Sequence, residues 1–154
     1  PVGVLVNDSA ATIQAVCNVQ GIHTVELHGA QTPRLCRQPQ HRGPHVRKDV
    51  GLGAGFYCSL PTPYKDTVEM FVFDTKTAAH GVSGQRFDWK ILDRYTLDVP
   101  YLLSGGIGPE ASDEVLRSFS RPHLAGIDLN SRFESSPGFK DSEKLTNFVI
   151  TLTK

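Results

Sequence analysis

The sequence has no excess of charge of either sign: 16 Lys plus Arg balance 16 Asp plus Glu. That argues against a dedicated nucleic-acid binder, which would carry a basic excess to neutralise phosphates. Long hydrophobic runs are also absent. The longest, such as 70–73 and 101–103, fall far short of the about 18 residues that mark a membrane span, so neither nucleic acid nor membrane is an expected partner. Cysteine is scarce. The three residues Cys17, Cys36 and Cys58 form an odd set with no CxxC, which speaks against a disulfide framework and for a reducing, cytoplasmic setting. Cys17 lies in an apolar helical run and reads as a small buried residue, while Cys36 and Cys58 have no neighbouring base that would make either a nucleophile. The histidines show no zinc-like spacing with cysteine, so no metal is expected. GxGxxG and P-loop strings are absent as well, which excludes the usual dinucleotide and nucleotide-phosphate cradles.

Other absences concern the start of the chain. Pro1-Val2-Gly3-Val4 has no basic n-region and no apolar h-region after it, so it does not read as a signal peptide. There is no initiator Met either. The first residues already read as a strand, so the expectation is that something upstream is absent. With 39% hydrophobic and 21% charged residues, the chain is neither a disordered polyelectrolyte nor a membrane bundle. Its 154 residues suit one domain, 1–154.

What is present is a rhythm. Apolar, β-branched runs at 2–6, 24–27, 45–50, 69–73, 99–103 and 124–127 start 21 to 30 residues apart. Helical stretches fit between them at 9–19 (capped by Asp8 or Ser9, closed by Gly21), 32–38, 87–95 and 109–118, with a last one at 141–152. The 87–95 segment offers Trp89, Ile91, Leu92 and Tyr95 as an inward stripe. The 141–152 segment offers Leu145, Phe148, Val149 and Leu152. Between Pro33 and Pro63, five prolines and six Arg or His side chains blur the pattern. Successive βα units imply an α/β fold with a parallel sheet. Six units fit either an open doubly wound sheet or an incomplete (β/α)8 barrel, because a closed barrel takes about 200 to 250 residues.

Parallel α/β folds bind ligands at the carboxyl ends of their strands. Those ends read Asn7-Asp8, Glu26 with His28-Gly29, Asp74-Thr75-Lys76, Ser104-Gly105-Gly106 and Asp128-Leu129-Asn130-Ser131. Polar groups and glycines at nearly every strand end point to a ligand site. The Ser104–Gly106 and Asp128–Ser131 loops, on the last two strands, read as anion cradles. Asp74 emerges from the apolar run Met70-Phe71-Val72-Phe73, where desolvation would favour the protonated acid and suit general acid catalysis. Gly81-Val82-Ser83-Gly84 is glycine-rich enough to fold over a ligand as a lid. Strand alternation places Glu26 and His28 on one face, with Val25 and Leu27 on the other.

Taken together these strings resemble the phosphoribosylanthranilate isomerase family of (β/α)8 barrels from tryptophan biosynthesis. The resemblance rests on Gly3–Asn7, Val25–Gly29, Phe73–Lys76, Gly81–Trp89, Leu103–Pro109, Gly126–Glu134 and Pro137–Asp141, and is poor over 36–66. It implies an α/β, parallel (β/α)8 TIM barrel whose strands three to eight are here, so that 1–154 is the C-terminal three quarters of the barrel. It implies an aldose–ketose isomerase: an Amadori rearrangement of N-(5-phosphoribosyl)anthranilate, a phosphorylated small molecule, to the 1-deoxyribulose 5-phosphate, with no cofactor. Carried over residue by residue, Asp74 is the general acid. Glu26 (where Gln is usual), His28 and Asp128 line the substrate site. Gly105, Gly106, Asn130 and Ser131 hold the phosphate, and Gly81, Ser83 and Gly84 form the lid, with Val82 in place of a second lid glycine and Gln85 where Lys is common. The family's base is a Cys in a Lys-x-Cys-Gly string, which this sequence lacks. The first two βα units, with a second-strand Arg at the substrate, also have no counterpart. The expectations are therefore that the chain alone turns over little or no substrate and that it self-associates or associates with the absent N-terminal units. Two alternatives stay open: a non-catalytic phosphate-binding α/β domain, and another phosphosugar barrel enzyme such as indole-glycerol-phosphate synthase.

Overall fold

The computed structural model describes residues 1–37, 43–52, 59–74 and 89–154. Six strands form one parallel sheet: β1 (Val2–Val6), β2 (Thr24–His28), β3 (His45–Gly51), β4 (Met70–Asp74), β5 (Tyr101–Ser104) and β6 (Leu124–Ile127). Their order in space is their order in sequence, β1-β2-β3-β4-β5-β6. A doubly wound sheet reverses its strand order at a switch point. This sheet does not, and the described helices contribute Ile13, Cys17, Val115 and Phe148 to a cluster with Val25, Leu27, Phe71 and Phe73 on one face of it, as on the outside of a barrel wall. Among the described residues β1 and β6 do not pair with each other.

The helical side holds the core. α1 (Ala10–Gln20) starts at Ser9, whose Oγ accepts from the Thr12 N–H at 3.1 Å, and stops at Gly21 in the left-handed region, whose N–H bonds the Cys17 carbonyl. Its Ile13 and Cys17 are buried against Val25 and Leu27 of β2. Phe71 and Phe73 of β4 face the same side, and Phe73, Tyr95 and Tyr101 meet pairwise with ring centroids 5.0 to 5.4 Å apart. Each such buried ring contributes roughly 1.5–3 kcal/mol by burial alone. α3 (Ser112–Ser118) adds Val115, and α4 (Ser142–Leu152), capped by Asp141 through the Lys144 N–H, adds Phe148.

Several expected elements differ in detail. Of the segment expected to be helical at 87–95, residues 87–88 lie outside the described residues and Trp89–Arg94 is a 3-10 helix. Its three-residue turn stacks Leu92 and Tyr95 on one side, both buried, and the Tyr95 hydroxyl donates to the Val99 carbonyl at 2.7 Å. The first turn of the 109–118 segment is likewise 3-10, over Pro109–Ala111. Near 32–38 the helix α2 is short (Pro33–Arg37). Val149 of α4 is exposed, so the buried stripe of that helix is narrower than its spacing suggests, centred on Phe148. The sequence pattern did not mark the antiparallel hairpin β7 (Glu134–Ser136) and β8 (Phe139–Lys140), which turns through Gly138 at φ +83°.

Candidate active site

The register of the sheet fixes which side chains meet. Glu26 lies opposite Arg47, His28 follows one step up, and Asp74 lies opposite Ser104. Because successive residues alternate across a strand, Glu26, His28, Asp49, Asp74 and Ser104 all point away from the helices into the concave face. They share that face with the valines of β1, of which Val2, Val4 and Val6 are exposed. The concavity is a cleft of about 760 Å³ at the carboxyl ends of the strands. Glu26, His28, Asp74 and Asp128 all line it, as do Gly105, Gly106, Asn130 and Ser131. The structure thus brings together eight of the residues singled out from sequence. Gly81, Ser83 and Gly84 lie outside the described residues.

On the β2 side, His28 Nε2 sits 2.5 Å from Glu26 Oε1, and His28 Nδ1 sits 3.5 Å from the buried Asp49 Oδ2. The backbone there is held by Asn7 at the end of β1. Its N–H donates to the His28 carbonyl (3.2 Å), and its Oδ1 accepts from the Ala30 N–H (2.9 Å). Asn7 itself has φ +56°, a conformation Asn tolerates better than most residues.

On the β5–β6 side, Gly105 and Gly106 have φ +84° and +63°. Consecutive left-handed glycines leave no Cβ between the backbone and a ligand, which suits a phosphate. The Ser104 hydroxyl donates to Asp128 Oδ2 at 2.9 Å, tying the ends of β5 and β6 together. Two cations line the cleft there that the sequence pattern did not single out. Lys140 Nζ donates to Asn130 Oδ1 (2.5 Å) and to Glu134 Oε1 (2.8 Å). Arg132 pairs with Glu110 at 2.6 Å. The Lys140 hydrogen bond lowers the Glu134 carboxyl from its ordinary value. The Pro137–Asp141 string was the available signal for Lys140: its turn folds β8 back so that Lys140 reaches Asn130.

Of the cysteines, Cys17 and Cys36 are buried on the helical side. Burial pushes both thiols up, for Cys36 against the opposing charge of Lys48, so neither is an available nucleophile. Cys58 lies outside the described residues.

Comparison with known proteins places this geometry. The family model for N-(5'-phosphoribosyl)anthranilate (PRA) isomerase matches residues 1–151. The N-(5'-phosphoribosyl)anthranilate isomerase of Parabacteroides distasonis is 40% identical over 148 residues, covering 96% of this chain and 66% of the relative. That of Phocaeicola vulgatus is 36% identical over 151 residues, covering 98% and 73%. The crystal structure of the Thermotoga maritima phosphoribosyl anthranilate isomerase superposes with a TM-score of 0.79 at 30% identity, covering 99% of this chain and 72% of the other. A phosphoribosyl anthranilate isomerase in complex with reduced 1-(o-carboxyphenylamino)-1-deoxyribulose 5-phosphate superposes with a TM-score of 0.76 at 26% identity, covering 99% and 70%. The chain spans about two thirds to three quarters of the length of these relatives.

Proposed function

The chain belongs to the N-(5'-phosphoribosyl)anthranilate isomerase family, and from that membership we propose that its cleft binds N-(5'-phosphoribosyl)anthranilate and serves the Amadori rearrangement of tryptophan biosynthesis. The observation that carries the reading is the convergence of Asp74 with the Gly105–Gly106 and Asn130–Ser131 loops in one cleft at the carboxyl ends of the strands. In this reading the two loops hold the 5-phosphate, and Lys140, beside Asn130, adds charge to that end. The sugar then extends toward Asp74. Protonation of the furanose ring oxygen by Asp74 opens the ring to a Schiff base. Removal of the proton from the second sugar carbon gives an enolamine, which tautomerises to the ketone. Glu26, His28 and Asp128 line the path of the sugar and its aryl group, with Asp128 oriented by Ser104. No organic cofactor or metal enters these steps. Gly81, Ser83 and Gly84 are assigned to a lid over the cleft.

The second proton transfer needs a base, and the sequence has no Lys-x-Cys-Gly string to supply the family's. In this reading residues 1–154 are a single domain equivalent to the C-terminal three quarters of the barrel, with a cytoplasmic location and turnover that depends on further βα units. Edge strands recruit other strands. Among the described residues β1 is such an edge and exposes Val2, Val4 and Val6, so the isolated chain is expected to self-associate.

Binding of reduced 1-(o-carboxyphenylamino)-1-deoxyribulose 5-phosphate, followed by titration calorimetry, tests the site. Gly106→Val places a β-branched side chain at φ +63° in the cradle. It should weaken binding by about 1–3 kcal/mol, the cost of leaving charged-group hydrogen bonds unmade, with unchanged helical circular dichroism. Equal affinity in wild type and variant would remove the phosphate assignment.

A further inference from the structure

Behind the cleft, on the helical side of β3, lies a buried ammonium. Lys48 is 3% exposed. Its Nζ donates to the main-chain carbonyls of Leu27 (3.2 Å), Gly29 (2.9 Å) and Asp49 (2.7 Å), and it stands 6.0 Å from the centroid of the Tyr64 ring. Burying an ammonium is unfavourable unless its N–H groups are bonded, and these three bonds share one feature. Leu27 and Gly29 flank His28, and Asp49 is the residue whose carboxylate faces His28 Nδ1. One ammonium therefore grips the backbone on both sides of the His28–Asp49 contact. Asn7 holds the same turn from the β1 side, through the His28 carbonyl and the Ala30 N–H. The imidazole itself, between Glu26 and Asp49, faces the cleft.

We propose that Lys48 is a positioning residue for the substrate site. It touches no substrate, and it sets the imidazole of His28 through the carbonyls of Leu27, Gly29 and Asp49. This rests on the reading above that the cleft takes an aryl-substituted sugar phosphate. Strands β3 and β4 separate β2 from the phosphate loops after β5 and β6, so loss of Lys48 should be felt at the aryl and sugar end and not at the phosphate.

The test uses the full chain, with Lys48→Met as the neutral near-isostere and Lys48→Gln as a variant that keeps an N–H donor. Protein labelled with 15N-histidine reports the ring nitrogens, and His28→Gln assigns the His28 signals. Lys48→Met should shift or broaden the His28 ring signals and leave those of His123, which precedes β6, in place. Inorganic phosphate should bind the variant within about twofold of wild type, while affinity for reduced 1-(o-carboxyphenylamino)-1-deoxyribulose 5-phosphate falls about tenfold or more, as for a misplaced contact group. Lys48→Gln should fall between. Unmoved His28 signals, or equal loss of phosphate and analogue affinity, would overturn the proposal. Failure of the wild type to bind the analogue would instead count against the cleft assignment, and the His28 signals would still decide the role of Lys48. If neither variant folds, the wild type decides. Slowly exchanging Lys48 ammonium protons correlated with the Leu27 and Gly29 carbonyl carbons support the proposal, and their absence overturns it.

Discussion

Gly29 is where the backbone at the site is most demanding, and Gly29→Ala puts a number on that demand. Its φ of +105° lies outside the conformations that L-residues populate readily, and forcing alanine there costs about 1–3 kcal/mol. The added Cβ would stand 2.3 Å from Asn7 Oδ1 and 2.8 Å from Asn7 Cγ. The carboxamide must swing away and give up its 2.9 Å bond from the Ala30 N–H, worth about 1 kcal/mol. Restricting the unfolded chain returns about 0.4–1 kcal/mol. The net destabilisation should centre on about 2 kcal/mol, the sum of these strain, hydrogen-bond and entropy effects. Equilibrium unfolding in urea, followed by far-ultraviolet circular dichroism, reads it as a lower midpoint with an unchanged slope. In an Asn7→Ala background the same substitution should cost about 1 kcal/mol less, because the hydrogen bond is already gone. A loss under about 0.5 kcal/mol, the level of an ordinary surface change, or an equal cost in both backgrounds, would refute the reasoning.

Burial pushes the Tyr95 phenol far above its ordinary value, and that of Tyr101 upward as well. The neutral form is thus favoured in the folded state, and stability should be level below about pH 10, where the unfolded phenol ionises, and fall as pH rises beyond it. Tyr95→Phe should lose about 1 kcal/mol at neutral pH with the Val99 hydrogen bond and show a shallower alkaline decline in urea unfolding; an unchanged decline would refute the assignment. Phe133 is fully buried against Phe148, with centroids 5.0 Å apart, two residues after Ser131. Phe133→Ala should cost about 3–5 kcal/mol and weaken phosphate binding with it, and a melting temperature close to wild type would count against this anchor.

The six strands were legible because each is a short apolar run, and the observed ends of β1 and β6 coincide with the runs at 2–6 and 124–127. That Glu26, His28, Asp74 and Asp128 line one cleft was legible because polar groups at the ends of apolar runs have few structural roles. Strand order was not. Spacing alone leaves open sheet and barrel wall equal, and only the pairing of neighbours in sequence separates them. Helix type escaped too, because 3-10 and α-helix differ by the register of hydrogen bonds and not by composition, as at Trp89–Arg94. Lys48 was invisible for a related reason. A lysine within a strand reads as a solvated edge, and its burial goes with bonds to the carbonyls of Leu27 in β2, Gly29 just after it and Asp49 in β3. The family match over 1–151 sets aside the synthase alternative.

The most direct test of the account follows the fluorescence decay of N-(5'-phosphoribosyl)anthranilate in this chain joined to the first two βα units of the Parabacteroides distasonis relative, with and without Asp74→Asn. The joined protein should turn substrate over. The asparagine variant should lose about 10²–10⁴-fold, the usual worth of a general acid, because an amide has no proton to transfer to the ring oxygen. Full activity in the asparagine variant would contradict the assignment of Asp74 as the acid, and with it the central claim.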